Sequence, residues 1–243
     1  VKAVLTRSKE LIKEVEQVKP EPILEFSNIN VTQPTVDSPL SACEQLPLMS
    51  LEEALKPVDN LIEELNKYVY IAKSHSKNIK DGLSQDESAS IRIYTMDWGD
   101  TSIYRILNIA LRSEDRSQVK AWLPYLKLFT TALHKLPSFQ GVVWRIVQMD
   151  LSKDFIQGQH RTWWSASSAI QDASILEHYT NPSAKRSLFS IECQHGKDIC
   201  RHSEYPSEKE ILLMPGFHFL VKSVLKAGDG MYIIGIKEID PAC

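Results

Sequence analysis

The sequence predicts an α+β fold with a largely antiparallel sheet, and three observations predict it. Apolar residues recur every three to four positions through the first half of the chain. From about Val142 onward the period changes to two. The helical stretches precede the strands and do not alternate with them, which disfavours a parallel α/β sheet.

Leu11, Ile12, Val15 and Val18 have helical spacing, and Pro20 and Pro22 stop that helix. From there to about Pro47 the chain is rich in Pro, Ser, Thr and Asn and reads as an extended segment or a linker. Helical spacing resumes at Leu51, Ala54, Leu55, Val58, Leu61, Ile62 and Leu65, entered through Ser50 as N-cap with Glu53 completing a capping box. Pro57 predicts a break or kink inside it. Ile91-Arg-Ile-Tyr94 reads as a short strand. One helix follows over Ile103–Leu111 and another over Val119–Leu136, with Pro124 splitting off its first turn and Pro137 closing it. His134 on that helix reads as a surface or boundary residue.

Candidate strands are Val142–Val147, Ser187–Cys193, Glu210–Met214, Phe217–Leu225 and Met231–Glu238. Phe217, Phe219, Val221 and Leu225 fall on one face of theirs, a half-buried pattern. Gly228-Asp229-Gly230 signals a hairpin between the last two. These boundaries suggest an N-terminal segment, 1–50, packing on a domain of 51–243, itself a helical part (51–140) and a β core (141–243).

With 28 Lys+Arg against 31 Asp+Glu in 243 residues, the net charge is −3. That balance disfavours a dedicated nucleic-acid binder, which would carry a basic stripe. No apolar run approaches the ~18 residues of a membrane-spanning helix. The chain begins at Val1 without an initiator Met and reads as a processed product or a piece of something longer. Cys43, Cys193, Cys200 and Cys243 permit two disulfides, Cys193–Cys200 and Cys43–Cys243 being the simplest pairs, or four reduced thiols. The histidines show no metal-ligand spacing, and no metal is expected.

Three polar insertions interrupt the strand half. Arg145 lies inside Val142-Val-Trp-Arg-Ile-Val147, where a charged side chain sits on a solvated edge or pairs with an anion; the edge reading is the simpler. Trp163-Trp-Ser-Ala-Ser-Ser168 follows two aromatics with small hydroxyls, and Ser168 ahead of Ala169-Ile170 reads as a helix N-cap. Glu208-Lys209-Glu210 precedes Ile211-Leu-Leu-Met214. Carboxylates at i and i+2 of a strand share a face, ~6.5–7 Å apart. They are either a solvated strand end or a pair able to stabilise a cationic sugar centre while handling a proton. No dinucleotide-binding, phosphate-loop, zinc-protease or serine-hydrolase motif occurs.

In this order, Arg on a strand, Ser-x-Ser, then Glu-x-Glu, the chain resembles the arginine-specific mono-ADP-ribosyltransferases of the Arg-Ser-Glu class, of the animal type. The resemblance runs from about Ile91 to Glu238. It includes Tyr94-Thr-Met-Asp-Trp98 with Tyr104, Leu107-Asn108 and Ala110-Leu-Arg112; Ala132-Leu-His-Lys-Leu-Pro137; and Ser203-Glu-Tyr-Pro-Ser-Glu-Lys-Glu-Ile-Leu-Leu213 closing on Pro215-Gly216 and Phe219.

The resemblance implies NAD as co-substrate and an arginine-bearing protein as acceptor. Arg145 is implied to bind the pyrophosphate or ribose of NAD, where a guanidinium fork suits paired oxygens. Ser165, with Ser167, is implied to shape the nicotinamide-ribose pocket and to position the catalytic carboxylate, and Ile146 to meet the nicotinamide amide through its backbone. Glu210 is implied to be the catalytic carboxylate on the ribose 2′-hydroxyl, Glu208 the residue engaging the acceptor guanidinium, and Tyr205 an aromatic presenting it. Two carboxylates make chemical sense: one stabilises an oxocarbenium-like centre, the other orients a cationic nucleophile and takes its proton. Attack opposite the departing nicotinamide inverts the anomeric carbon.

The chain departs from the family pattern at Ile146, usually Gly, and at Ala166, usually Thr. Alternatives to the transferase are an NAD glycohydrolase and a non-catalytic NAD-binding module of the same fold. Animal enzymes of this kind are often extracellular and disulfide-tied, which favours a secreted or cell-surface location.

Overall fold

The computed structural model describes residues 41–78, 80–172, 185–228 and 230–240. The expected helix over Leu11–Val18, most of the extended segment after it, and Cys243 lie outside these residues. Helices α1 (Ser41–Glu44), α2 (Leu51–Leu55), α3 (Leu65–His75), α4 (Gln85–Thr95), α5 (Ile103–Arg112), α6 (Ser117–Lys120) and α7 (Leu123–Lys135) precede seven strands. The strands are β1 (Ser138–Val147), β2 (His160–Trp163), β3 (Ser167–Ile170), β4 (Arg186–Asp198), β5 (Glu210–Leu213), β6 (Phe217–Gly228) and β7 (Met231–Glu238).

The helix starts follow local chemistry. Ser50 accepts from the Glu53 N–H while Glu53 reaches back to the Ser50 backbone, so the expected capping box is present. Pro57 ends α2 and passes the chain into a 3-10 turn over Lys56–Leu61. Pro124 enters α7 in its first turn, where a missing N–H costs nothing. His134 is exposed, as read.

Ile91–Tyr94 is not a strand but the second half of α4. A second capping box, Ser84 with Glu87, starts that helix. Ala89, Ile91, Ile93 and Tyr94 are all buried. A helix enclosed on every side shows no polar stripe, so its β-branched alternation mimics a strand.

The seven strands form one sheet in the order β1-β3-β5-β4-β7-β6-β2, with β1 also paired to β4. Every pairing is antiparallel except β4–β7. The β6–β7 hairpin forms as expected, turning at Gly228 and Gly230, both at positive φ. Leu225 does not share the face of Phe217, Phe219 and Val221: a bulge between Val221 and Ser223 adds one residue and reverses the faces beyond it. Val224 therefore packs on the core and Leu225 is 58% exposed.

Two cores result. One gathers the apolar faces of the helices with Ala166, Ile199 and Leu212, and the other lies against the sheet around Val143, Phe189, Ile211, Phe219 and Ile234. Strand β5 alternates between them, Leu212 into the helical core and Ile211 and Leu213 into the sheet core. Cys193 and Cys200 are both free thiols, so the Cys193–Cys200 bridge does not form. Among the described residues no helix is long and apolar enough to cross a membrane.

Candidate active site

The site forms where β1, β3 and β5 come together on the seam between the two cores. Strand β3 pairs with β5 in the register Ile170↔Glu210 and Ser168↔Leu212, which puts Ser168 diagonally across from Glu210. The Ser168 hydroxyl donates to Glu210 Oε1. Ser168 is thus a strand residue and not a helix N-cap, because its segment finds partners in a distant strand. Of the hydroxyls in Ser165-Ala-Ser-Ser168, the one reaching the carboxylate lies just beyond the Ser-x-Ser pattern. Reading the segment as an alternating strand is the signal that finds it. Ser165 and Ser167 are buried in the same segment.

Glu210 is 3% exposed, and its Oε2 has no hydrogen-bond partner among the described residues. Burial pushes its carboxyl up to about 7; the Ser168 hydrogen bond and the charge of Arg145 oppose that rise. Arg145 is buried, not on a solvated edge. Its Nη1 donates to the Ser168 carbonyl at 2.7 Å, a backbone acceptor that satisfies part of the fork inside the protein. Burial lowers its guanidinium to about 10, leaving it cationic at neutral pH. Arg112, at the end of α5, is near enough for its like charge to add to that lowering. It is a second cation beside Arg145, singled out in the sequence only as part of a helix motif.

The helical pieces of the pattern have a structural task. The Tyr94 hydroxyl donates to the Ala166 carbonyl at 3.3 Å, and Asn108 Nδ2 donates to the Tyr94 hydroxyl at 3.1 Å and to the same carbonyl at 3.4 Å. α4 and α5 thereby grip the serine segment at its midpoint. Ile146 is buried in the sheet core; as the neighbour of Arg145 on a strand it points to the opposite face.

Glu208 does not precede Glu210 on a strand. It ends a 3-10 turn, Pro206–Glu208, and Lys209 then takes a left-handed conformation with φ 48° before β5 begins. The pair is set by this turn and not by strand alternation. Glu208 is half-buried, and burial together with the neighbouring Glu210 raises its carboxyl to about 7. Tyr205, just before the turn, is half-buried against the helical core. Among the described residues no group of His, Cys, Asp and Glu side chains is placed to hold a metal ion.

A buried carboxylate with one unpartnered oxygen, a buried guanidinium two strands away across β3 and a second carboxylate on the preceding turn are the arrangement that the Arg-Ser-Glu resemblance implies. A family model described as NAD:arginine ADP-ribosyltransferase matches residues 48–243, and the chain belongs to that family.

The chain is 27% identical over 152 residues to an ADP-ribosyltransferase, Vis, of Vibrio splendidus; the match covers 56% of this chain and 59% of that protein. Among solved structures, Vis in complex with agmatine superposes with a TM-score of 0.54 at 21% identity, covering 82% of this chain and 90% of that one. The eukaryotic mono-ADP-ribosyltransferase ART2.2 superposes with a TM-score of 0.56 at 16% identity, covering 90% and 94%. HopU1 of Pseudomonas syringae gives 0.55 at 20% identity, covering 81% and 90%. These likenesses establish the same fold.

Proposed function

We propose that this protein transfers ADP-ribose from NAD to arginine side chains of acceptor proteins, releasing nicotinamide and inverting the anomeric carbon. One observation carries the reading: Glu210 is buried with one oxygen committed to Ser168 and the other without a hydrogen-bond partner among the described residues, beside the Arg145 cation. NAD supplies a ribose with a positively polarised anomeric carbon and a dianionic pyrophosphate. The residues present fit both, since Arg145 and Arg112 offer two cations for the pyrophosphate and Glu210 Oε2 offers an acceptor for a ribose hydroxyl.

Glu210 stabilises positive charge developing on the ribose, and the low-dielectric surroundings that raise its carboxyl also strengthen that stabilisation once it is ionised. Ser168 and Arg145 favour its anionic form and oppose part of the effect of burial. Glu208, less enclosed, orients the incoming guanidinium and accepts its proton; a carboxyl lifted to about 7 is a suitable base near neutrality. Tyr205 flanks the acceptor. Ser165 and Ser167 line the ribose pocket, and Ile146 contributes its backbone alone, so its side chain does not block the site.

We assign residues 51–243 as the transferase domain. A secreted or cell-surface location is consistent with a relative described as a toxin. The test is incubation with NAD and agmatine, following nicotinamide and the ADP-ribosyl adduct separately. Both products are expected. Nicotinamide without adduct would make the protein a glycohydrolase, and neither product would make it a non-catalytic module.

A further inference from the structure

The two carboxylates are held by different parts of the molecule. Glu210 belongs to the sheet, fixed by the β3–β5 pairing and by Ser168. Residues 201–208 belong to no strand, and side chains of α4 hold them. Arg92 Nη1 donates to the Ser203 carbonyl at 2.6 Å and to Glu204 Oε2 at 3.2 Å. Thr95 Oγ1 accepts the Glu204 N–H at 2.9 Å. Arg92 is itself aimed by Nε donating to the Ser76 hydroxyl at 3.2 Å, and His75 meets the Glu204 carboxylate at 3.2 Å.

From there the bonds run on to the second carboxylate. The Tyr205 N–H donates to the Ser203 hydroxyl at 3.0 Å, and the Glu208 N–H donates to the Tyr205 carbonyl at 3.2 Å. Arg92, Thr95 and Ser203 are each at least nine-tenths buried, so water does not substitute readily for a lost partner.

We infer that Arg92 and Thr95 are positioning residues that set Glu208 and Tyr205 against Glu210, and so govern acceptor binding without governing NAD cleavage. This rests on the transferase reading of the site. Neither residue touches either carboxylate of the Glu208–Glu210 pair in any hydrogen bond described; each acts through the turn. A displacement of about 1 Å in such a group costs up to about 10²-fold in a reaction needing close alignment, whereas Glu210 stays fixed by the sheet.

The experiment compares wild type with Thr95→Val, Thr95→Ser and Arg92→Lys in the full chain, measuring KM for agmatine in transfer and, without agmatine, the rate of NAD hydrolysis. Thr95→Val removes the acceptor for the Glu204 N–H together with the bond from the Thr95 hydroxyl to the Arg92 carbonyl, Thr95→Ser restores both, and Arg92→Lys keeps the charge but loses the fork. Thr95→Val and Arg92→Lys are expected to raise the agmatine KM about tenfold or more, with hydrolysis within about twofold of wild type and Thr95→Ser close to wild type. An unshifted agmatine KM in Thr95→Val, or hydrolysis falling in parallel with transfer, would overturn the positioning role. Absence of adduct from the wild type would overturn the transferase reading itself, a result distinct from either.

Discussion

Replacing Glu210 with Gln should make the protein more stable as it makes it inactive, and the gain should grow with pH. Burial lifts the Glu210 carboxyl from the ordinary 4.5 to about 7. Below 4.5 it is protonated in both the folded and unfolded states and costs nothing. Between 4.5 and 7 the unfolded chain ionises and the folded one resists, so stability falls as the pH rises; above 7 the cost is constant. At about 1.4 kcal/mol per pH unit, the penalty is about 1 kcal/mol at pH 5 and about 3 kcal/mol at pH 8.5.

Glutamine carries no such penalty. Its amide can still accept from Ser168, and any pH-independent cost of its unpaired N–H cancels when two pH values are compared. The stability difference between Glu210→Gln and wild type should therefore widen by about 2 kcal/mol from pH 5 to pH 8.5, a melting-temperature difference growing by about 4–8 °C. Differential scanning calorimetry of both proteins at the two pH values measures it. Parallel curves, with a constant difference, would show that Glu210 is not held in a low-dielectric site. The rate of nicotinamide release should fall about 10²–10³-fold in the same variant.

Glu208→Gln should spare nicotinamide release and reduce transfer to agmatine by about 10²-fold or more, read from the ratio of the two products. Transfer by the wild type should rise as the pH passes about 7, where both carboxylates ionise; a pH–rate profile flat between 6 and 8 (roughly the span of the coupled pair) would contradict the assignment. Gly196→Ala places a Cβ 2.7 Å from Ile211 Cγ2 and 3.1 Å from Cys193 Sγ. It should destabilise the fold by about 1–3 kcal/mol in denaturant titration.

The parts of the fold legible in the sequence were those decided by neighbours along the chain. Ser50 and Glu53, Pro57, Pro124 and the alternation at Phe217–Val221 carry their structures within a few residues. Ile91–Tyr94 was misleading because enclosure by other helices erased the amphipathic stripe, although Ser84-Gln-Asp-Glu87 carries the same start signal as Ser50. Leu225 was misplaced because alternation alone does not reveal one added residue.

At the site, residue types and order were legible, and the side-chain arrangement was not. Arg145 looks like an edge residue until the Ser168 carbonyl, 23 positions away, is placed beside it. Strands β2 and β3 are four residues each and too short to show a period. Nothing in a lysine announces the left-handed backbone of Lys209, which disposes Glu208 and Glu210 in a way that strand geometry does not.

The seam between the two cores has a thermal consequence. Its sheet side holds the group proposed to break NAD, and its helical side holds the group proposed to receive the arginine. Warming that loosens the contact between the cores, with every strand and helix still intact, separates the two tasks before either is destroyed. On the proposed reading, the fraction of NAD lost to water should climb with temperature well below the melting point. The ratio of free ADP-ribose to adduct then acts as an internal thermometer for how tightly the halves are clasped.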